Sequence, residues 1–234
     1  ELKPEVVSFH FGLPEPALLK RVKAAGCVVI SSATTVKEAV WLERHGVDAV
    51  IAQGAEAGGH RGMFLTDKIS EQPGTFALVP QVVDAVNVPV IACGGIADGR
   101  GIAAAFALGA AGVQIGSAYL RCPESKVSAG GRKALAEAGD DSTVITNVMT
   151  GRPARGVQNR LMREAGPISP DAPPFPHAAT ALGPLKAAAE KQGRVDFTNL
   201  WAGQAIALGR EVPAAELTRD LAKSALARLR QMAG

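Results

Sequence analysis

One histidine follows a strand-like apolar run through a glycine-rich segment, at residues 49–62 (AVIAQGAEAGGHRG). Glycine allows the backbone to adopt positive φ and to lie close to a flat ligand. A histidine side chain titrates near neutral pH, so it can act as an acid or a base. The pattern therefore predicts a small-molecule site at the carboxyl end of a strand, with His60 as its reactive group. An enzyme is the leading interpretation.

Two later strand ends also carry glycine. Gly94 and Gly95 follow the apolar run 88–93, and Gly116 and Ser117 follow the run that begins at Gly112. Backbone N–H groups at such turns, close to a helix N-terminus, bind anions. Two neighbouring turns of this type are typical of the phosphate site of a (β/α)₈ barrel, after its seventh and eighth strands. The sequence therefore predicts a phosphate-binding site.

The elements that would position these residues alternate between strand and helix. Five β-α steps in a row predict a parallel sheet, because each return to the sheet requires a crossover helix. The predicted strands are 6–9, 27–31, 49–52, 88–93 and 112–115, and the helices between them are 16–25, 35–45, 76–86 and 101–108. An open doubly wound sheet and a (β/α)₈ barrel both fit this order, although the early GxGxxG motif of the former is absent.

The pattern changes after Ser117. A helix-like stretch at 124–138 and an extended one at 143–148 are followed by a proline-rich segment, 166–180, predicted to be an irregular loop because proline sustains neither helix nor central strand. Two further helices are predicted at 199–208 and 214–232.

The composition restricts the classes of function. The chain has 234 residues, of which 47% are hydrophobic and 20% charged, with a formal net charge of +3. These values indicate one globular domain, and without a basic stripe interleaved with aromatic residues they give no support for nucleic-acid binding. Cys27, Cys93 and Cys122 lack a metal-type spacing, and no metal is expected. Cys27 and Cys93 lie at or within apolar strand-like runs, as reduced and buried cysteines do, so a cytoplasmic location is expected. No apolar run is long enough to cross a membrane.

Five segments together closely resemble the nitronate monooxygenases, formerly called 2-nitropropane dioxygenases, and specifically a class I-like member. They are 52–62 (AQGAEAGGHRG), 94–100 (GGIADGR), 113–120 (VQIGSAYL), 150–156 (TGRPARG) and 200–204 (LWAGQ). The resemblance implies an α/β fold of the (β/α)₈ TIM-barrel type that binds FMN and oxidises alkyl nitronates with O₂ to a carbonyl compound and nitrite.

The resemblance also implies roles for individual residues. His60 corresponds to the family's active-site histidine, which takes a proton from a nitroalkane carbon, and His10 is expected to contact substrate or flavin. Ser117 stands where the family often has threonine, which keeps the hydroxyl. The residues expected to bind FMN are Gln53, Gly58 and Gly59 at the ring, and Gly94, Gly95, Gln114, Ile115, Gly116 and Ser117 at or near the phosphate.

The resemblance begins part of the way along the family's barrel. The run 6–12 (VVSFHFG) corresponds to a segment that follows the first three strands, so the single domain 1–234 is expected to carry strands four to eight and the C-terminal helices. A five-strand arc would have exposed parallel edges. A partner segment of about a hundred residues, equal to three β-α units, would complete the barrel. A homodimer is a further expectation.

Three other functions remain open. The first is an NAD(P)H-dependent quinone or enoyl-thioester reductase on the same flavin barrel, since fold alone does not separate the reactions. The second is a non-catalytic half-barrel that acts only with a partner chain, and the third is a flavin-free phosphosugar isomerase. Around the site, Arg152 and Arg155 either attract an anionic nitronate or form surface ion pairs, whereas Trp201 is interpreted as a packing residue.

Overall fold

The computed structural model describes residues 2–234 of the chain. Its strands, in chain order, are β1 (Val6–Phe9), β2 (Val28–Ala33), β3 (Ala49–Gln53), β4 (Gly59–His60), β5 (Val90–Cys93), β6 (Gly112–Gln114), β7 (Thr143–Thr146) and β8 (Ala154–Val157). Its α-helices are α1 (Pro16–Ala24), α2 (Val36–Arg44), α3 (Thr75–Ala85), α4 (Gly99–Ala107), α5 (Ala129–Glu137), α6 (Arg160–Ala165), α7 (His177–Glu190) and α8 (Ala214–Ala233).

The chain divides into two compact units, each with its own sheet. The first, here called the parallel unit, comprises the chain up to Ala55 together with Gly62–Ile96 and Arg100–Gln114. The second, the antiparallel unit, comprises Glu56–Arg61, Ala97–Gly99 and Ile115–Gly234. The predicted site residues are distributed over both units, and each unit is described separately.

The parallel unit contains a five-stranded sheet in the order β1-β2-β3-β5-β6, and all four pairings are parallel. The predicted β-α alternation and the α/β class are confirmed. Local signals placed the helix ends well: the Thr35 hydroxyl accepts the Glu38 N–H at the start of α2, and Gly26 and Gly46 follow α1 and α2 with positive φ. Positive φ is strained for residues with a Cβ, so glycine suits these stops.

Burial in this sheet is greatest at its centre. Every residue of β3 is buried, whereas β1 and β6 have no buried residue. Among the described strands, β1 pairs only with β2 and β6 only with β5, and Val6 on β1 is 49% exposed. Two edges of a parallel sheet therefore present backbone N–H and C=O groups that further strands could pair with.

The antiparallel unit contains a three-stranded sheet in the order β4-β8-β7, with 3₁₀ turns at Ser117–Arg121 and Ile206–Leu208. One apolar cluster joins Leu135 on α5 to Ala202 and Ile206, and a second joins Met149 to Met162 on α6. Thus α5 and α6 both have apolar side chains in the interior of this unit.

Two predicted elements after Ser117 are wrong. The segment 199–208 is not a helix: the Leu200 carbonyl accepts the Val157 N–H, and Trp201 forms an antiparallel bridge with Gly156, so only the last three residues take a 3₁₀ turn. The predicted loop 166–180 ends early, because α7 begins at His177 and continues through Pro184. Pairing with distant residues decided the first segment, and local propensity could not reveal it.

None of the helices between residues 2 and 234 is long and apolar enough to cross a membrane.

Candidate functional site

In the parallel unit, the chain after β3 turns back onto the end of that strand. Gln53 is the last residue of β3 and is 5% exposed. Its Oε1 accepts the backbone N–H of Gly62 at 2.7 Å. The side chain predicted to line a flavin ring therefore also closes the glycine-rich segment, and this bond fixes the orientation of its amide.

Gly62 contacts a histidine and a serine. A Cβ on Gly62 would stand 2.9 Å from His10 Cε1 and 2.9 Å from Ser32 Cβ, and His10 Nδ1 lies 3.1 Å from the Ser32 hydroxyl. The site prediction did not include Gly62 or Ser32. The sequence feature that could have identified Ser32 is the pair of serines inside the otherwise apolar strand β2. His10 is exposed, and its contact with substrate or flavin stays a prediction.

A buried carboxylate holds the segment that follows Gly62. Glu38 on α2 has no exposed surface, and its Oε1 accepts the N–H groups of Phe64 at 2.6 Å and Leu65 at 3.1 Å. Sequence reasoning missed Glu38, because its position in the first turn of a helix is explained equally well by the helix dipole.

In the antiparallel unit, His60 lies on a strand. Its partner in the β4–β8 pairing is Ala154, Gly59 pairs with Arg155, and the Arg61 N–H donates to the Pro153 carbonyl at 2.8 Å. The glycine-rich segment gave no sign of this strand, since β4 has only two residues and depends on a partner far away in sequence. The consequence is that backbone hydrogen bonds fix the position of His60.

The His60 ring is half-buried among three side chains. Its Nε2 lies 2.9 Å from the Thr150 hydroxyl, and the ring centroids of Trp201 and Phe175 are each 5.5 Å from its own. Trp201 also packs on Gly156, where a Cβ would stand 2.9 Å from the indole ring. Packing was the predicted role of Trp201, whereas Thr150 and Phe175 had no predicted role at the histidine.

Two backbone segments meet closely beside β4. A Cβ on Gly58 would stand 2.5 Å from the Gly203 nitrogen, and one on Gly203 would stand 2.6 Å from the Glu56 carbonyl oxygen. The Gln204 N–H donates to that same carbonyl at 3.0 Å. The structure thus gives Gly58 a packing role, and its contact with a flavin stays a prediction.

Replacing Gly58 with alanine is expected to lower the free energy of unfolding by about 2 kcal/mol, because the added methyl group forces apart two backbone segments. Urea unfolding of the full-length protein would measure it. Gly183→Ala is the matched control: Gly183 lies inside α7, no described atom is within 4 Å of its Cβ position, and the change is expected to be neutral or stabilising by about 1 kcal/mol. Equal stability of the two variants would contradict the packing role.

Arg155 is not a surface residue. It is 8% exposed, and its guanidinium donates to the Thr143 carbonyl at 3.2 Å and the Thr143 hydroxyl at 3.3 Å. Burial lowers the pKa of Arg155, and the Glu56 carboxylate acts in the opposite direction. The surface ion-pair interpretation is therefore wrong for Arg155, whose described contacts stabilise the β7–β8 pair.

The predicted phosphate-binding glycines have the expected backbone. In the parallel unit, Gly94 and Gly95 follow β5 with φ of 117° and 67°, and the Thr75 hydroxyl donates to the Gly94 carbonyl at 3.0 Å. The Gln114 amide at the end of β6 lies 3.7 Å from Cys93 Sγ. Only glycine readily adopts positive φ at two successive positions, so the conformation of this turn requires both glycines.

The remaining predicted residues, Ile115, Gly116 and Ser117, belong to the antiparallel unit. No described atom lies within 4 Å of the Cβ position of Gly116. The Ser117 hydroxyl accepts the Gly203 N–H at 2.7 Å. A hydroxyl that accepts a hydrogen bond through its oxygen can still donate its own proton. The Ser117 hydroxyl can therefore donate a hydrogen bond to a phosphate oxygen.

A comparison with known protein families matches residues 1–224 to the nitronate monooxygenase family. The chain is 45% identical to a nitronate monooxygenase of Paraburkholderia phytofirmans, covering 100% of this chain and 65% of that protein. It is 46% identical to a nitronate monooxygenase of Pseudomonas aeruginosa, covering 94% of this chain and 63% of that protein. The chain therefore spans somewhat less than two thirds of the length of these curated relatives.

Solved structures agree with the sequence comparison. Nitroalkane oxidase from Streptomyces ansochromogenes superposes with a TM-score of 0.90 at 41% identity, covering 98% of this chain and 66% of that one. FabK from Thermotoga maritima superposes with a TM-score of 0.74 at 32% identity, covering 98% and 70%.

Proposed function

This chain belongs to the nitronate monooxygenase family, and we propose that the full-length protein oxidises alkyl nitronates with O₂ to a carbonyl compound and nitrite. The observation that carries the proposal is the His60 environment, in which a titratable ring is held by β4 and lies 5.5 Å from two aromatic rings. A base in an apolar, half-buried position suits removal of a proton from carbon. The two curated relatives are named nitronate monooxygenases, which agrees with this chemistry.

FMN fits the residues that each unit presents. In the parallel unit, Gly94 and Gly95 form a turn at the carboxyl end of β5, and the exposed Gly95 presents its backbone to a phosphate there. In the antiparallel unit, no described atom occupies the Cβ positions of Gly59 and Gly116, and Ser117 keeps a hydroxyl proton to donate. Each unit therefore presents a hydrogen-bond donor of the kind that a phosphate oxygen accepts.

The remaining residues that are predicted to bind FMN or substrate belong to the same two units. Gln53 and Gln114 of the parallel unit and Gly58 and Ile115 of the antiparallel unit are proposed to contact FMN, and His10 to contact substrate or flavin. When bound, FMN supplies the electron acceptor and the oxygen chemistry of the reaction. The residues of the chain itself are proposed to bind the nitro compound and to move its proton.

We also propose that the chain supplies strands four to eight of a (β/α)₈ barrel, and that an N-terminal segment of the full-length protein supplies the others. The two open edges of the parallel sheet support this assignment. So does the share of the curated relatives that the chain spans, 65% and 63%. A cytoplasmic location is proposed because Cys27 and Cys122 are buried, reduced thiols.

The test uses the full-length protein as purified. A flavin absorption spectrum, release of FMN on denaturation, and nitrite formed from an alkyl nitronate with uptake of O₂ are the expected results. The competing function is an NAD(P)H-dependent reductase on the same flavin barrel, since fold alone does not separate the two reactions. Rapid anaerobic bleaching of the flavin by NADH or NADPH, with no nitrite from the nitronate, would overturn the proposal in favour of the reductase.

A further inference from the structure

The Thr150 hydroxyl makes two hydrogen bonds, one with the Arg152 carbonyl oxygen and one with the His60 ring. Its Oγ1 lies 3.2 Å from the Arg152 carbonyl oxygen, to which it donates, and 2.9 Å from His60 Nε2. Thr150 is 6% exposed, so solvent has little access to this hydroxyl. The direction of each bond is therefore decided within the protein.

A carbonyl oxygen only accepts hydrogen bonds, whereas a hydroxyl has one proton to donate. If that proton points to Arg152, the Thr150 oxygen has only acceptor capacity left for His60. Nε2 of His60 must then carry a proton and donate it. In a neutral imidazole only one nitrogen is protonated, so the lone pair is on Nδ1. The reverse arrangement would place two lone pairs against each other at the Arg152 carbonyl.

The backbone fixes both ends of this chain of bonds. His60 pairs with Ala154, and the Arg61 N–H donates to the Pro153 carbonyl, so the strand that carries the histidine is tied to the residues directly after Arg152. The hydroxyl and the imidazole are thus held on two adjacent, hydrogen-bonded segments. Contact between them does not depend on a mobile loop.

We propose that Thr150 is a positioning residue that holds His60 in the tautomer protonated on Nε2, so that Nδ1 is the atom that takes the substrate proton. This inference rests on the proposed function. In the step, the C–H bond next to the nitro group breaks, its proton bonds to Nδ1, and the electron pair moves into the nitro group to give the nitronate. The imidazolium that forms still donates from Nε2 to Thr150, so the bond that orients the ring persists.

The tautomer can be read directly from ¹⁵N spectra of the full-length holoenzyme labelled at histidine. The His60→Asn variant identifies the His60 signals by their disappearance. Wild type and Thr150→Ser, which keeps the hydroxyl, are expected to show a protonated Nε2 and an unprotonated Nδ1. Thr150→Val, which replaces the hydroxyl with a methyl group of similar size, is expected to show a mixture of both tautomers.

Kinetics provide the second readout. Turnover of the neutral nitroalkane is expected to fall about tenfold more than turnover of the nitronate in Thr150→Val, in line with the loss of one orienting hydrogen bond. A wild-type His60 protonated on Nδ1 would overturn the inference, even if Thr150→Val fails to fold. An unchanged tautomer in a folded Thr150→Val protein would also overturn it. A holoenzyme with no nitronate activity would overturn the proposed function instead, while the spectra would still decide the tautomer.

Discussion

Replacing His60 with asparagine is expected to reduce turnover of neutral nitroalkanes by about 10² to 10⁴, the usual contribution of a general base. Turnover of pre-formed nitronates is expected to fall far less, because the nitronate has already lost the proton that His60 would take. Asparagine keeps a polar side chain of similar reach but cannot accept a proton at neutral pH. Steady-state rates with the nitroalkane and with its nitronate, on the full-length holoenzyme, measure the difference.

His177→Asn is the matched control for this prediction. His177 is exposed, at the first residue of α7, and no role at the site is proposed for it, so both rates are expected to stay at wild-type values. The flavin content of both variants should be determined, since a loss of FMN would lower both rates together. Equal losses with the two substrates in a fully flavin-loaded His60→Asn protein would contradict the assignment of His60 as the base.

The parts of the structure that the sequence predicted well depend on short-range patterns. The parallel strands and their helices were predictable because each apolar run and each helical repeat is set by neighbouring residues. Thr35 at the start of α2 and Gly46 after its end mark that helix from local chemistry alone. The glycine turn after β5 was equally readable, since two positive φ values in succession leave little choice of residue type.

The parts that could not be predicted depend on pairing between distant residues. β4 exists because Gly59 and His60 pair with β8, almost a hundred positions later, and two residues carry no strand signal of their own. Thr150 and Phe175 reach His60 only through that pairing and the fold of the antiparallel unit. Residue types alone do not indicate such contacts, so the sequence identified the reactive histidine without the side chains that orient it.

Glu38 is another residue whose role the sequence did not predict. It holds the loop after the glycine-rich segment and does not lie at the site itself. Both of its carboxylate oxygens are saturated: Oε1 accepts from Phe64 and Leu65, and Oε2 accepts the N–H and the hydroxyl of Thr34, each at 2.7 Å. The side chain is fully buried. It therefore ties the end of β2 and the start of α2 to the residues that directly follow Gly62 and Met63.

Replacing Glu38 with alanine is expected to lower the free energy of unfolding by about 4 kcal/mol, since each donor left unsatisfied in the interior costs about 1–3 kcal/mol and some regain contact with water. Urea unfolding of the full-length protein measures the loss. Glu38→Gln is expected to lose less, because one amide oxygen still accepts while the amide nitrogen faces donors that it cannot satisfy.

Glu71→Ala is the control for loss of a carboxylate as such. Glu71 forms an exposed ion pair with Lys68 at 3.1 Å, with side-chain exposures of 65% for the lysine and 57% for the glutamate. Exposed pairs of this kind contribute at most about 1 kcal/mol, so stability should change little. If Glu38→Ala were no more destabilising than Glu71→Ala, the four hydrogen bonds would not hold this loop. The expected order of loss, Glu38→Ala, then Glu38→Gln, then Glu71→Ala, follows from how many buried donors each change leaves without an acceptor.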